Sequence, residues 1–327
     1  MTTTFIKGIG SYNHQSDIPV IATIGTFDGI HRGHQEIFRR VREQSKENGA
    51  EPVLITFHPH PRMLVTPDSA PLLLTTIEEK GKFVPDFFDG KVLILDFNKD
   101  LMNTPAVEFV KKILVEKIGV RKLIVGYDHT FGYDRHGDIP ALKVMGAEMG
   151  FEVEVVEPVV EDNKPVSSSR IRRAIIDGRY QEALNLLGHD YAIYGTVEHG
   201  IGMGYKLGYP TANISYSHRK LLPSEGVYAC WAEVDNDCYS GMMFIGRNSL
   251  NPEDCVSVEA NLFEFDSDIY NKEITVYPIR FIRENRKFEL KDKLIEQIEQ
   301  DKKQVLNTFE KELSSGIDKR AKSSNHC

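Results

Sequence analysis

The chain has 327 residues, 41% of them hydrophobic, 27% charged and 9% aromatic, with a formal net charge of −8. That length suits two domains of ordinary size, each burying its own core, and the composition excludes disordered and fibrous classes. The acidic balance excludes a general attraction to nucleic acid or to an anionic membrane surface, so a phosphate-bearing ligand must be held by local positive groups. No apolar run approaches the roughly 20 residues of a membrane span, and Met1-Thr2-Thr3-Thr4 lacks the regions of a signal peptide, so a cytoplasmic location is expected. Cys230, Cys238, Cys255 and Cys327 form no C-x-x-C pair and no metal-ligand spacing, and are expected as free thiols.

In chain order, the first half alternates short apolar runs with helical patterns. Residues 20–24, 53–57, 92–95, 123–125 and 153–156 read as buried strands. Segments such as 35–47, 105–118 and 140–149 carry apolar residues three and four apart, which is the β-α-β rhythm of a parallel sheet. Ligands of such sheets sit at the C-terminal strand ends. A helical linker is predicted over 169–187, closed by Gly188. The period then becomes two. Residues 227–234, 242–245, 256–265 and 274–281 predict strands joined by turns such as Asp235-Asn236-Asp237, hence a small antiparallel barrel. Leu290, Leu294, Ile295, Ile298, Val305, Phe309 and Leu313 form one apolar stripe of a final helix that packs on it. The expected domains are 1–182, ending in the linker, and 183–315, followed by a flexible tail, 316–327.

The first chemical constellation is Gly25-Thr26-Phe27-Asp28-Gly29-Ile30-His31-Arg32-Gly33-His34, directly after the first predicted strand and opening the first helix. His31 and His34, three apart, face the same way, and Gly33 between them has no Cβ to keep a ligand off. The helix N-terminus adds N–H donors and a positive dipole end, so charge developing at an α-phosphate would be stabilised without a covalent intermediate.

This decapeptide resembles the first motif of the prokaryotic bifunctional riboflavin kinase/FMN adenylyltransferase (FAD synthetase) family, and the resemblance extends over nearly the whole chain. Thr56-Phe57-His58-Pro59-His60-Pro61 is similar to the family's T-F-x-P-H-P loop, which implies that His60 shapes the FMN side of the site. Val125-Gly126-Tyr127-Asp128-His129-Thr130-Phe131-Gly132, with Arg135 and Gly137, resembles its V-G-x-D/N-F-x-F-G-x-x-R-x-G loop, His129 standing where Phe is usual. The resemblance implies nucleotide or flavin contact for Asp128 and phosphate contact for Arg135; a loop hydrogen bond or an ion pair is the plainer reading of either. Val166-Ser167-Ser168-Ser169-Arg170-Ile171-Arg172 is similar to I-S-S-T-R-I-R. Its hydroxyls at a helix start, Ser167 and Ser168 among them, can cap N–H groups or donate to phosphate, and Arg170 adds a planar fork of donors. Gly25, Phe27, Asp28 and Gly33 complete the implied nucleotide and flavin contacts. Together these elements imply attack of the FMN phosphate on the ATP α-phosphate, with Mg2+ offsetting charge.

The second half carries His199-Gly200-Ile201-Gly202-Met203-Gly204-Tyr205-Lys206-Leu207-Gly208-Tyr209-Pro210-Thr211-Ala212-Asn213. Lys206 lacks the preceding glycine and following Ser/Thr of a P-loop. The stretch resembles the riboflavin kinase motif H-G-x-x-x-G-R-x-L-G-x-P-T-A-N, which implies that Thr211 and Asn213 hold the ATP-bound metal and that Gly204 and Lys206 lie at the nucleotide; oxygen ligands suit Mg2+. Strand alternation in residues 256–262 projects Ser257, Glu259 and Asn261 together, and Glu259 matches the family's catalytic Glu. Arg283, in a stretch similar to R-x-E-x-K-F, is implied near the flavin. The implied architecture is an α/β Rossmann-like nucleotidyltransferase domain plus a small antiparallel β-barrel riboflavin kinase domain with a C-terminal helix. The implied chemistry is ATP-dependent phosphorylation of riboflavin to FMN and adenylylation of FMN to FAD with release of pyrophosphate, on small-molecule substrates, with no nucleic-acid or membrane partner. The kinase half departs from its pattern at Tyr205, Phe244, Asn261 and Asn271. Two other readings stand beside this one. The barrel could be a silent flavin-binding or regulatory module beside an FMN adenylyltransferase, or the chain a nucleic-acid-binding protein, which the negative charge opposes.

Overall fold

In a computed structural model, residues 2–15, 17–129, 138–200, 202–247 and 256–314 are described, except for the side chains of Met203, Lys206 and residues 312–314. Contacts divide the chain into two units, Met1–Leu73 with Lys80–Ser168, and Leu74–Glu79 with Ser169–Cys327.

The first unit is built on a parallel sheet of β1 (Thr4–Lys7), β2 (Val20–Ile24), β3 (Glu51–His58), β4 (Lys91–Asp96), β5 (Val120–Gly126) and β6 (Glu152–Val156), in the order β1-β4-β3-β2-β5-β6. All five residues of β2 are buried; because successive side chains point to opposite faces, both faces of the sheet are covered there. The strand order reverses at β2, whose neighbours are β3 and β5. That reversal opens the crevice in which α/β sheets bind ligands. From β2 the chain runs through Gly25–Ile30 into the helix Arg32–Glu47, which buries Ile37, Phe38 and Val41.

Two features were not legible. The edge strand β1 is mostly exposed and carries no alternation. The helix expected over 105–118 is α only at Ala106–Phe109 and continues as a π-helix, Val110–Ile118, ended by Gly119 in the left-handed conformation. A hairpin of β7 (Val160–Glu161) and β8 (Lys164–Pro165) turns through Asp162 and Asn163, both with positive φ.

In the second unit the expected linker is two helices, Ser168–Ile176 and Tyr180–Leu187, interrupted at Gly178 and closed by Gly188 in the left-handed conformation, as predicted. The closed antiparallel barrel contains β9 (Ile193–Glu198), β10 (Ala212–Tyr216), β11 (Gly226–Val234), β12 (Asp237–Arg247), β13 (Val256–Leu262) and β14 (Glu273–Arg283), in the order β10-β13-β12-β11-β14-β9. Asp235 and Asn236, at φ 52° and 69°, form the two-residue turn between β11 and β12. The helix Lys291–Ser314 sets Val305 and Phe309 on Ala229, Phe263 and Ile279, with Phe309 against Trp231 at 4.7 Å between ring centroids. Leu290, expected in that stripe, precedes the helix and is 65% exposed.

The segment Leu74–Glu79 is fixed within this unit by a buried ion pair. Lys220 Nζ lies 2.7 Å from Glu79 Oε2 and donates to the Leu74 carbonyl at 2.6 Å, its ammonium over the Tyr191 ring. Glu79 also accepts from the backbone N–H groups of Tyr194 and Thr76. Burial pushes the Glu79 carboxyl up, and Lys220 opposes that shift. Cys230 is a buried free thiol, whereas Cys238 is disulfide-bonded; the expectation of free thiols is corrected there, because spacing alone carries no pairing information. Cys255 and Cys327 lie outside the described residues. Among the described residues no helix is long and apolar enough to cross a membrane.

Candidate functional site

At the C-terminal end of β2, the loop Gly25–Ile30 makes an unusual backbone excursion. Phe27, Gly29 and Ile30 have φ of 45°, 87° and 41°, a region that side chains rarely adopt and a β-branched one least of all. The conformation is fixed through its carbonyls. Thr26 O accepts from Lys80 Nζ at 2.6 Å and from Thr56 Oγ1 at 3.3 Å, Asp28 O from Ser168 Oγ at 2.8 Å, and Ile30 O from Gln35 Nε2 at 2.8 Å. Since a trans peptide holds C=O and N–H on opposite sides, the N–H groups of Phe27, Gly29 and His31 face away from those donors.

His31 is the N-cap residue of the helix Arg32–Glu47, and its ring stacks on that of His34, with centroids 3.6 Å apart and 19° between planes. Phe27 meets His34 edge-on at 5.3 Å. Gly33 has a second role that the sequence did not reveal: a Cβ there would crowd the His31 ring at 3.2 Å. Burial, then His31, then Lys80 holds the His34 imidazole well below the usual histidine range, so it stands neutral. Its Nδ1 is buried with no hydrogen-bond partner among the described residues. Asp28 is buried beside Lys80, and Arg32 pairs with Glu161 of β7 at 2.7 Å. His60 accepts from the Arg62 N–H, at the start of the short helix Arg62–Val65. Asp128 is exposed after β5, while burial pushes neighbouring His129 down to about 4. Thus Gly25, Phe27, Asp28, His31, Gly33, His34 and Ser168 converge on one place within this unit. Ser167 adjoins Ser168, Arg135 lies outside the described residues, and Arg170 belongs to the second unit, 3.4 Å from Glu182.

In the barrel, Asn213 of β10 stands directly opposite Glu259 of β13. Thr211 Oγ1 donates to Glu259 Oε2 at 3.2 Å. Burial pushes the Glu259 carboxyl up, against the hydrogen bonds from Thr211 and Ser257. A Cβ at Gly200 would overlap the Asn213 side chain, so the motif glycine is what lets this backbone close on the asparagine. Asn261 is buried and donates to the Pro210 carbonyl at 2.7 Å, pinning the Pro-Thr-Ala-Asn turn. Asn271 has a φ of 62°, the left-handed conformation that asparagine tolerates where glycine is usual. His199 stacks on Tyr270 at 3.7 Å. Gly204 and Tyr205 lie in the helix Met203–Leu207, Tyr205 82% exposed, while the Lys206 side chain lies outside the described residues. Arg283 is not placed with this cluster; its guanidinium holds Asp301.

Residues 13–170 match the family model for FAD synthetase, and residues 187–309 that for riboflavin kinase. The chain belongs to the bifunctional riboflavin kinase/FMN adenylyltransferase family. It is 38% identical to the family's protein from Pseudomonas fluorescens over 82% of this chain and 86% of that one. With the protein from Escherichia coli strain K12 it shares 31% identity, over 90% of this chain and 95% of the relative. A solved chain described as a macrolide-efflux protein from Streptococcus pneumoniae superposes with a TM-score of 0.81 at 31% identity, covering 94% of this chain and 99% of that one. Both halves of a bifunctional enzyme are therefore present, a riboflavin kinase and an FMN adenylyltransferase. Of the residues that family motifs did not mark, the structure brings Gln35 and Lys80 into the first site.

Proposed function

We propose that the loop and imidazole pair of the first unit carry adenylyl transfer and that the Thr211–Asn213–Glu259 cluster carries riboflavin phosphorylation. The observation that carries the first assignment is the His31–His34 stack at a helix N-terminus, directly after a loop whose carbonyls are held by Lys80, Thr56, Ser168 and Gln35. There an FMN phosphate oxygen attacks the ATP α-phosphorus, the bond to the bridging oxygen of pyrophosphate breaks, and no protein nucleophile is needed. The imidazoles and loop amides are donors to the negative charge that accumulates on the α-phosphate oxygens. Ser167 and Ser168 are assigned to the same phosphates, and His60 and Asp128 to the nucleotide or flavin.

In the barrel, the riboflavin 5′-hydroxyl attacks the ATP γ-phosphorus, its proton passes to Glu259, and ADP leaves. A carboxyl pushed up by burial suits a base better than an ordinary surface glutamate. The donor set of hydroxyl, amide and carboxylate oxygens fits a hard cation, and Thr211, whose proton goes to Glu259, keeps lone pairs for one. Mg2+ brought with ATP would be held by Thr211 and Asn213 and would neutralise phosphate charge. The substrates are small molecules, and a cytoplasmic setting, where ATP is held, suits both reactions.

The test is chromatography of the flavins formed when the full chain is incubated with ATP and Mg2+, in parallel with riboflavin and with FMN. FAD from both is expected. FAD from FMN alone would remove the kinase assignment, and no product from either would overturn both.

A further inference from the structure

Lys80 is the only lysine or arginine buried in the first unit among the described residues, at 8% exposure. Burial pushes the Lys80 pKa down and the carboxylate of Asp28 opposes that shift, while the Thr26 carbonyl accepts from the ammonium at 2.6 Å. An apolar side chain would fill the same space without burying a charge, so packing does not account for the charge. Its position within the motif loop does. Thr26 O is the first of three loop carbonyls fixed by side chains, immediately before the positive-φ residue Phe27, and Lys80 is the only charged donor among the four that fix them. The ammonium also acts on the imidazole of His34, which stacks on His31.

We infer that Lys80 is a positioning residue for adenylyl transfer: its ammonium locks the Thr26 peptide so that the loop amides keep facing the substrate phosphates, and it sets one fixed positive charge behind the imidazole pair. This rests on the assignment of that pair to adenylyl transfer. The cation disfavours a second positive charge on the His34 ring, so that ring stays neutral and the loop keeps one shape over the working pH range. Removing the charge lets His34 protonate at a higher pH.

The experiment compares Lys80→Met, Lys80→Gln, Lys80→Arg and His34→Asn in the full chain, with FAD formation from FMN followed against pH and riboflavin phosphorylation measured alongside. Lys80→Met should lower kcat for FAD formation by about 10²-fold with little change in KM, as misplacement of a catalytic loop does. The acid limb of its pH profile should move to higher pH, and Lys80→Arg should return that limb and part of kcat. Lys80→Gln, which retains a donor to Thr26 but no charge, should keep more of kcat than Lys80→Met while showing the same shifted limb. Riboflavin phosphorylation should be unchanged in all of them. If Lys80→Met loses both activities, Lys80→Gln decides by its limb. An unmoved limb in Lys80→Gln, or full FAD formation in Lys80→Met, would overturn the inference. If His34→Asn also formed FAD normally, the underlying site assignment would be the one at fault.

Discussion

Arg283, the penultimate structural element's last residue, grips Asp301 of the C-terminal helix with Nε 2.8 Å from Oδ1 and Nη2 2.7 Å from Oδ2, and Asp301 is only 1% exposed. The pair ties the barrel to the helix that covers it. Arg283→Ala strands a buried carboxylate and is expected to destabilise the protein by about 3 kcal/mol, read from chemical denaturation. A flavin-binding Arg283 would instead raise the KM for riboflavin and leave the unfolding midpoint in place.

The Gly33 and His31 geometry makes the first site sensitive to one methyl group. Gly33→Ala puts a Cβ 3.2 Å from the His31 ring and should lower FAD formation by about 10²-fold through displacement of the imidazole. His34→Asn, which removes a donor from the phosphates, should cost about 10²- to 10³-fold. Steady-state rates with FMN check both, and the rate with riboflavin as phosphate acceptor should not move.

Asn213→Ala and Glu259→Gln should do the reverse, removing FMN formation by about 10²- to 10⁴-fold while FAD still forms from supplied FMN. Loss of both activities from either substitution, in a protein that unfolds at the wild-type temperature, would contradict separate sites.

His129 gives a pH dependence of stability. Its folded value of about 4 lies below the unfolded 6.5, so the unfolded chain binds more protons between those values. The neutral ring's contribution is complete above pH 6.5 and is lost as pH falls toward 4, by up to about 3 kcal/mol. Denaturation midpoints at a series of pH values should show this slope, and His129→Phe should flatten it.

Lys220 and Glu79 predict a non-additive pair. Lys220→Met leaves Glu79 buried and unanswered, at a cost of about 3–5 kcal/mol. Adding Glu79→Gln should recover most of that loss, because the uncompensated charge goes with it; simple addition of the two single costs in denaturation experiments would count against the pairing.

The fold was legible where periodicity and burial agree. β2 is apolar throughout and was found to the residue, and the change of period past the linker announced the barrel. The edge strand β1 left no trace, since an exposed edge needs no alternation, and β9 and β10 lie in a stretch where no strand was expected. The juxtaposition of His31 and His34 was legible from their spacing, whereas Thr211, Asn213 and Glu259 were singled out by the family resemblance and strand register sets Asn213 opposite Glu259. Lys80 was not found: its nearest loop partner is 54 residues away, and no local pattern links a helical lysine to a carbonyl that far up the chain. Arg283 was implied near the flavin by its resemblance to R-x-E-x-K-F; that its guanidinium holds Asp301 was not legible, because a sequence does not show which carboxylate an arginine meets.

The excursion of Leu74–Glu79 makes the molecule resistant to dissection. Contacts assign these six residues to the later half of the chain, although they are flanked on both sides by the earlier half. A cut at Ser168, the obvious place for scissors, would therefore remove from the barrel fragment the carboxylate and the carbonyl that hold the Lys220 ammonium. The same knitting applies during synthesis: the earlier half can leave the ribosome complete while this strip of it still waits for a partner made more than a hundred residues later.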